Sequence, residues 1–62
     1  METIKSISTE RFEIKLVQSK SGLYYVAYNT KDLEKPISSE SIKDLSIAML
    51  CFDVKLQELE GH

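Results

Sequence analysis

Apolar and polar residues alternate through RFEIKLVQ, residues 11–18, with Phe12, Ile14 and Leu16 on one side and Glu13 and Lys15 on the other. A period of two is the pattern of a strand with one buried face. LYYVAYN, residues 23–29, is rich in aromatic and β-branched residues and predicts a second strand. The SKSG between them allows two hairpins. A three-residue loop, Lys20-Ser21-Gly22, puts Gly22 where left-handed backbone is needed. It sets Leu16 opposite Val26, Ile14 opposite Tyr28 and Gln18 opposite Tyr24. A two-residue loop, Ser21-Gly22, slips the pairing by one and turns Leu23, Tyr25 and Ala27 inward instead. The first is preferred because it buries the bulkier set, Tyr24, Val26 and Tyr28 joining Phe12, Ile14 and Leu16.

Residues 1–9 read as a polar lead-in, with Ile4 and Ile7 docking loosely or extending the first strand. NTKDLEK is turn chemistry. KPIS predicts a short third strand, with Pro36 at an edge or a strand start because it cannot donate to a ladder. Ser41, with Asp44 three residues on, resembles a helix N-cap followed by an acidic first turn. A helix from Ile42 to about Glu60 follows, closed by Gly61. The expected architecture is a single α+β domain: a three-stranded antiparallel meander over residues 10–39 with one C-terminal helix, residues 41–60, packed across one face (β-β-β-α).

At about 100° per residue, Leu45, Ala48, Met49, Phe52, Leu56 and Leu59 share one sector of that helix and form the stripe expected to meet the sheet. Ile47, Leu50, Cys51 and Val54 fall in a second sector, nearly opposite, at the spacing of a helix–helix seam. One sheet covers one side of a helix. The second stripe is therefore wet, covered by the N-terminal segment, or covered by another chain. The expectation is a homodimer or higher homo-oligomer through Ile47, Leu50, Cys51 and Val54, with a non-self protein partner as the second possibility and a sheet edge or the Tyr25 face as the alternative contact.

Size favours the same answer. A chain of 62 residues builds a thin core and usually needs a staple: disulfides, a metal or oligomerisation. Cys51 is the only cysteine, so no intrachain disulfide forms, and one cysteine with one histidine does not make a closed metal site. Net charge is −2 with Arg11 the single arginine, which argues against a nucleic-acid partner unless Lys15, Lys20, Lys31 and Lys35 form a local patch. No apolar run approaches the roughly 20 residues of a membrane span, and the N-terminus does not resemble a signal peptide. A cytoplasmic location is expected.

Catalytic chemistry finds little footing. Cys51 sits among apolar neighbours without the cation that activates a thiol, and reads as a packing residue. His62, the last residue, lacks the positioning a general base needs. Asp32, Glu34, Asp53, Glu58 and Glu60 do not have the spacing of a calcium loop. Neither glycine sits in a phosphate-binding motif. Tyr24, Tyr25 and Tyr28 would stack bases only with basic residues beside them. The expectation is a non-enzymatic interaction or regulatory module with no cofactor, no metal and no catalytic residues; the alternative is a nucleic-acid-binding module using the exposed sheet face.

From Gly22 onward the order of GLYYVAY, Asp32-Leu33, PISSE and SIKDLSIAM resembles the N-terminal module of HicB-type bacterial antitoxins. There a GGY.V strand leads to an Asp-Leu turn, a short strand and a capped helix. Glu34-Lys35-Pro36 stands where that family commonly has Pro-Gly-Cys. The resemblance implies a sequestering partner protein that oligomerises and does no chemistry. The β-β-β-α order is also similar to the arm-binding domain of phage-type integrases and to plant AP2 domains, which read DNA with basic or aromatic residues on the exposed sheet face. Glu13, Lys15, Val17, Leu23, Tyr25 and Ala27 match that face poorly. The chain also resembles short uncharacterised cyanobacterial proteins, a likeness that implies no function.

Overall fold

The computed structural model describes residues 1–61. Four strands, β1 (Glu2–Ser8), β2 (Phe12–Gln18), β3 (Tyr24–Thr30) and β4 (Ile37–Ser38), precede one helix, α1 (Leu45–Glu60). The strands form one antiparallel sheet in the order β1-β2-β3-β4. The α+β class and the meander are as expected; the strand count is four rather than three.

The β2–β3 hairpin takes the three-residue loop. Leu16 pairs with Val26, Ile14 with Tyr28 and Gln18 with Tyr24. Ser19 N–H donates to the Leu23 carbonyl at 2.8 Å, and Gly22 N–H to the Ser19 carbonyl at 3.0 Å. Gly22 has φ +87°, a region where a Cβ meets the backbone unfavourably. The glycine is what lets this register form.

The lead-in is the first strand. β1 covers the edge of β2 that would otherwise present a row of unpaired backbone groups. Ile7 lies opposite Ile14, while the register shifts between Thr3 and Lys5. That bulge absorbs the odd three-residue spacing of Ile4 and Ile7, which conceals the strand from a period-two reading. In the turn to β2, Thr9 Oγ1 accepts from the N–H groups of Arg11 and Phe12, both at 3.1 Å.

The helix starts three residues later than expected, and Asp44 caps it rather than Ser41. Asp44 Oδ1 accepts from the Ser46 N–H at 2.8 Å and its hydroxyl at 2.6 Å. Residues before it stay extended because β3 needs them. Ile42 and Tyr24 exchange both backbone bonds, at 2.8 and 2.9 Å, and Ser39 accepts from Val26 N–H through Oγ at 3.0 Å. The stretch after Pro36 thus satisfies the outer edge of β3 with only two residues of formal strand.

α1 crosses β2 and β3. Phe12, Ile14, Leu16, Val26, Ala48 and Phe52 form the buried core, with Ile7, Tyr24, Tyr28, Ile42, Leu56 and Leu59 packed around it. Leu45 and Met49, expected on this face, are exposed: at 60–100° from Ala48 they overhang the flank of the contact. At the far end Gly61 N–H donates to the Gln57 carbonyl at 3.0 Å, with φ −77° in the ordinary helical region. Arg11 Nη2 reaches across from the β1–β2 turn to the carbonyls of Leu59 (3.4 Å) and Glu60 (3.3 Å), a cation at the negative end of the helix dipole.

Candidate interaction surface

The second helical stripe lies open. Ile47 is 53% exposed, Leu50 62% and Val54 48%, with Cys51 exposed beside them as a free thiol. Its position relative to the sheet follows from two contacts. Lys5 of β1 lies 3.9 Å from Asp53 and 5.0 Å from the centre of the Phe52 ring, so β1 sits along one flank of the helix. Cys51 and Lys55 instead line a groove of about 260 Å³ with Ile37 and Ser38 of β4, so they mark the other flank. The outer stripe turns away on this β4 side. The N-terminal segment, held on the far edge of the sheet, does not cover it.

Ile37, 42% exposed on β4, extends the stripe across the groove. Lys55 closes one wall. Its ammonium bonds Glu58 at 2.7 Å and stands 4.9 Å from the centre of the Tyr28 ring. The Glu58 hydrogen bond raises the Lys55 pKa, opposed by burial and aided by the charges of Tyr28 and Glu58. Sequence reasoning placed Ile47, Leu50, Cys51 and Val54 together, but missed Ile37. Its only signal was an isoleucine directly after Pro36 in an edge strand.

Tyr25 is elsewhere. It lies opposite Val17 on the sheet face away from the helix, half-buried. Val17 is itself buried there, with Thr3 opposite it on β1. Lys15 on the same face pairs with Glu13 at 3.5 Å. Met1, Thr3, Lys15, Val17 and Ala27 border a shallow hollow of about 330 Å³.

The lysines considered for a basic patch do not converge. Lys20 is in the β2–β3 loop, Lys31 and Lys35 lie beyond the opposite end of β3, and Lys15 is mid-strand. A seven-residue strand, roughly 20 Å long, separates the ends. Among the described residues no group of three or more His, Cys, Asp or Glu side chains is placed to hold a metal. No helix among them is long and apolar enough to cross a membrane. His62 lies outside the described residues. No family model, no curated protein and no solved structure matches the chain.

Proposed function

We propose that this chain is a small non-enzymatic interaction module that works as a homo-oligomer, with the outer row of α1 as its contact surface. The observation that carries this reading is the exposure of Ile47, Leu50 and Val54 along one side of the single helix, continued by Ile37. Covering the remaining half of each helical side chain is worth roughly 1 kcal/mol, and two-fold symmetry doubles the set. That compares with the roughly 3–9 kcal/mol expected for the whole stability of 62 residues. Association itself costs roughly 4 kcal/mol or more, so the dimer is of modest affinity and dissociates on dilution.

The HicB-type resemblance is in keeping with a binding role of this kind, antitoxin-like in holding a partner rather than transforming a substrate. A cytoplasmic setting suits the exposed lone thiol of Cys51, because thiols persist where glutathione keeps them reduced. The nucleic-acid reading has less support, since the open sheet face carries one lysine already paired with Glu13.

Light scattering on the wild type and on Ile47→Asp with Val54→Asp tests the proposal. The wild type has twice the chain mass at high concentration, and the double variant is a folded monomer. A wild-type monomer at the highest attainable concentration refutes it. Salt-dependent retention on heparin and on duplex DNA would favour the alternative.

A further inference from the structure

β1 leaves one side of the sheet open. It is the outermost strand, with its inner side paired to β2 and its outer side facing away from the rest of the chain. The opposite edge, β4, has only two residues of formal strand and follows Pro36, which has no N–H to offer. β1 has seven residues and no proline. An exposed edge of that length recruits strands from other chains unless something blunts it.

The sequence makes the hazard concrete. Between Glu2 and Glu10 runs TIKSIST, residues 3–9, with no glycine, no proline and one charge, Lys5. Without that charge it is a short, uncharged, β-prone segment of the kind that stacks into cross-strand assemblies. Lys5 lies opposite Leu16, a fully buried core residue, so its side chain rises on the helix side of the sheet. There its ammonium stands 5.0 Å from the centre of the Phe52 ring and 3.9 Å from Asp53, with the side chains of Lys5 and Asp53 both half-exposed. A surface pair this loose does little for stability. Its place matters more. A strand added outside β1 would lay a side chain against Lys5 and strip water from both charges, and desolvating such a pair is costly. The bulge is a second obstacle. Pairing jumps from Thr3 to Lys5 and leaves Ile4 without an opposite residue. The outer row of N–H and C=O groups is broken there, so a straight strand matches residues 5–8 and no further.

We propose that Lys5 guards the open edge of β1: its charge, held beside Asp53 and next to the bulge, keeps strands of other copies from adding to the sheet. This guard is independent of the helix contact proposed above. Where that contact forms, the guard keeps assembly closed instead of letting sheets extend edge to edge.

The test is made in the chain carrying Ile47→Asp with Val54→Asp, where the helix contact is removed and any assembly is new. Lys5→Val and Lys5→Arg are added separately. Sedimentation velocity gives mass against concentration, infrared absorption the intermolecular β-sheet band, and urea unfolding of dilute samples the stability. Lys5→Val is expected to grow severalfold in mass with concentration and to gain the band, while its unfolding midpoint stays close to the parent's. Lys5→Arg keeps the charge and should match the parent. Unchanged mass for Lys5→Val overturns the proposal, and so does assembly by Lys5→Arg. Assembly of Lys5→Val accompanied by a lower midpoint also overturns it, because an opened core then recruits partners instead of the edge. If the parent is itself unfolded, the same series on the wild-type chain reads growth past two copies. A wild-type monomer refutes the helix contact alone and leaves this comparison intact.

Discussion

The two apolar rows of α1 are built from the same kinds of residue and meet opposite fates. Ala48 and Phe52 have no exposed surface, whereas Ile47 and Leu50, one and two positions away, keep more than half of theirs. Composition does not separate them; rotation about the helix axis does. The four-residue step from Ala48 to Phe52 stays over the sheet, whereas the one- and two-residue steps to Ile47 and Leu50 carry the side chain past it. The row that is covered holds the fold together, and the row that is not has no such duty within one chain. Hydrophobicity in a small domain therefore has two readings, and only the position of the sheet decides which applies.

Removing Phe52 should show the larger effect. Its ring is fully buried in the core cluster with Ile14 and Leu16, and Lys5 stands over its face. Phe→Ala changes in cores cost about 3–5 kcal/mol, which is comparable with everything a domain of this length has. Phe52→Ala is expected to be largely unfolded at 25 °C by circular dichroism. A cooperative thermal transition near that of the wild type would mean that the core does not depend on this row.

Much of that core was legible beforehand. The alternation of Phe12, Ile14 and Leu16 and the bulk of Tyr24, Val26 and Tyr28 jointly fix the β2–β3 register, because only one hairpin loop buries both sets. The first strand was concealed by its bulge. The helix start was misplaced because Ser41 and Asp44 both qualify as caps, and local sequence cannot reveal that Ile42 is claimed by the free edge of Tyr24. Long-range pairing won over local propensity there. The outer row was visible from helical spacing alone. Ile37 was not, since its place beside Cys51 depends on where β4 runs relative to α1.

The hairpin loop controls the comparison at its source, because a slipped register would turn a different face of β3 to the helix. Gly22→Ala keeps open space around the new methyl group but must hold φ near +87°. The expected loss is about 1–2 kcal/mol, read as a lower denaturant midpoint with unchanged slope. A neutral result would show that the loop relaxes into another turn without moving the strands.

Acid stability probes the start of the helix with a smaller effect. The hydrogen bonds from the Ser46 hydroxyl and N–H hold the Asp44 carboxylate below its ordinary pKa. Its contribution is present above the unfolded value of about 3.9 and is lost as pH falls through the lowered folded value. Asp44→Asn keeps a capping oxygen but removes the titration. At neutral pH it should unfold close to the wild type, and below pH 4 it should lose less stability than the wild type does. Parallel pH profiles would mean that the cap does not contribute.

The smallest expected effect is the most telling one. Leu50→Gln removes the most exposed large side chain of the helix, and in a dilute sample of monomers its unfolding free energy should stay within about 0.5 kcal/mol of the wild type, as for other surface changes. Leu50 and Phe52 are large apolar residues two positions apart on one helix, and their main difference is that Leu50 faces outward. At high concentration the two proteins should part. Association stabilises the wild type by mass action and raises its Tm with protein concentration, whereas the Tm of Leu50→Gln should stay flat. A substantial loss in the monomer would show that the outer row already serves the single chain, and the division between the two rows would then be wrong.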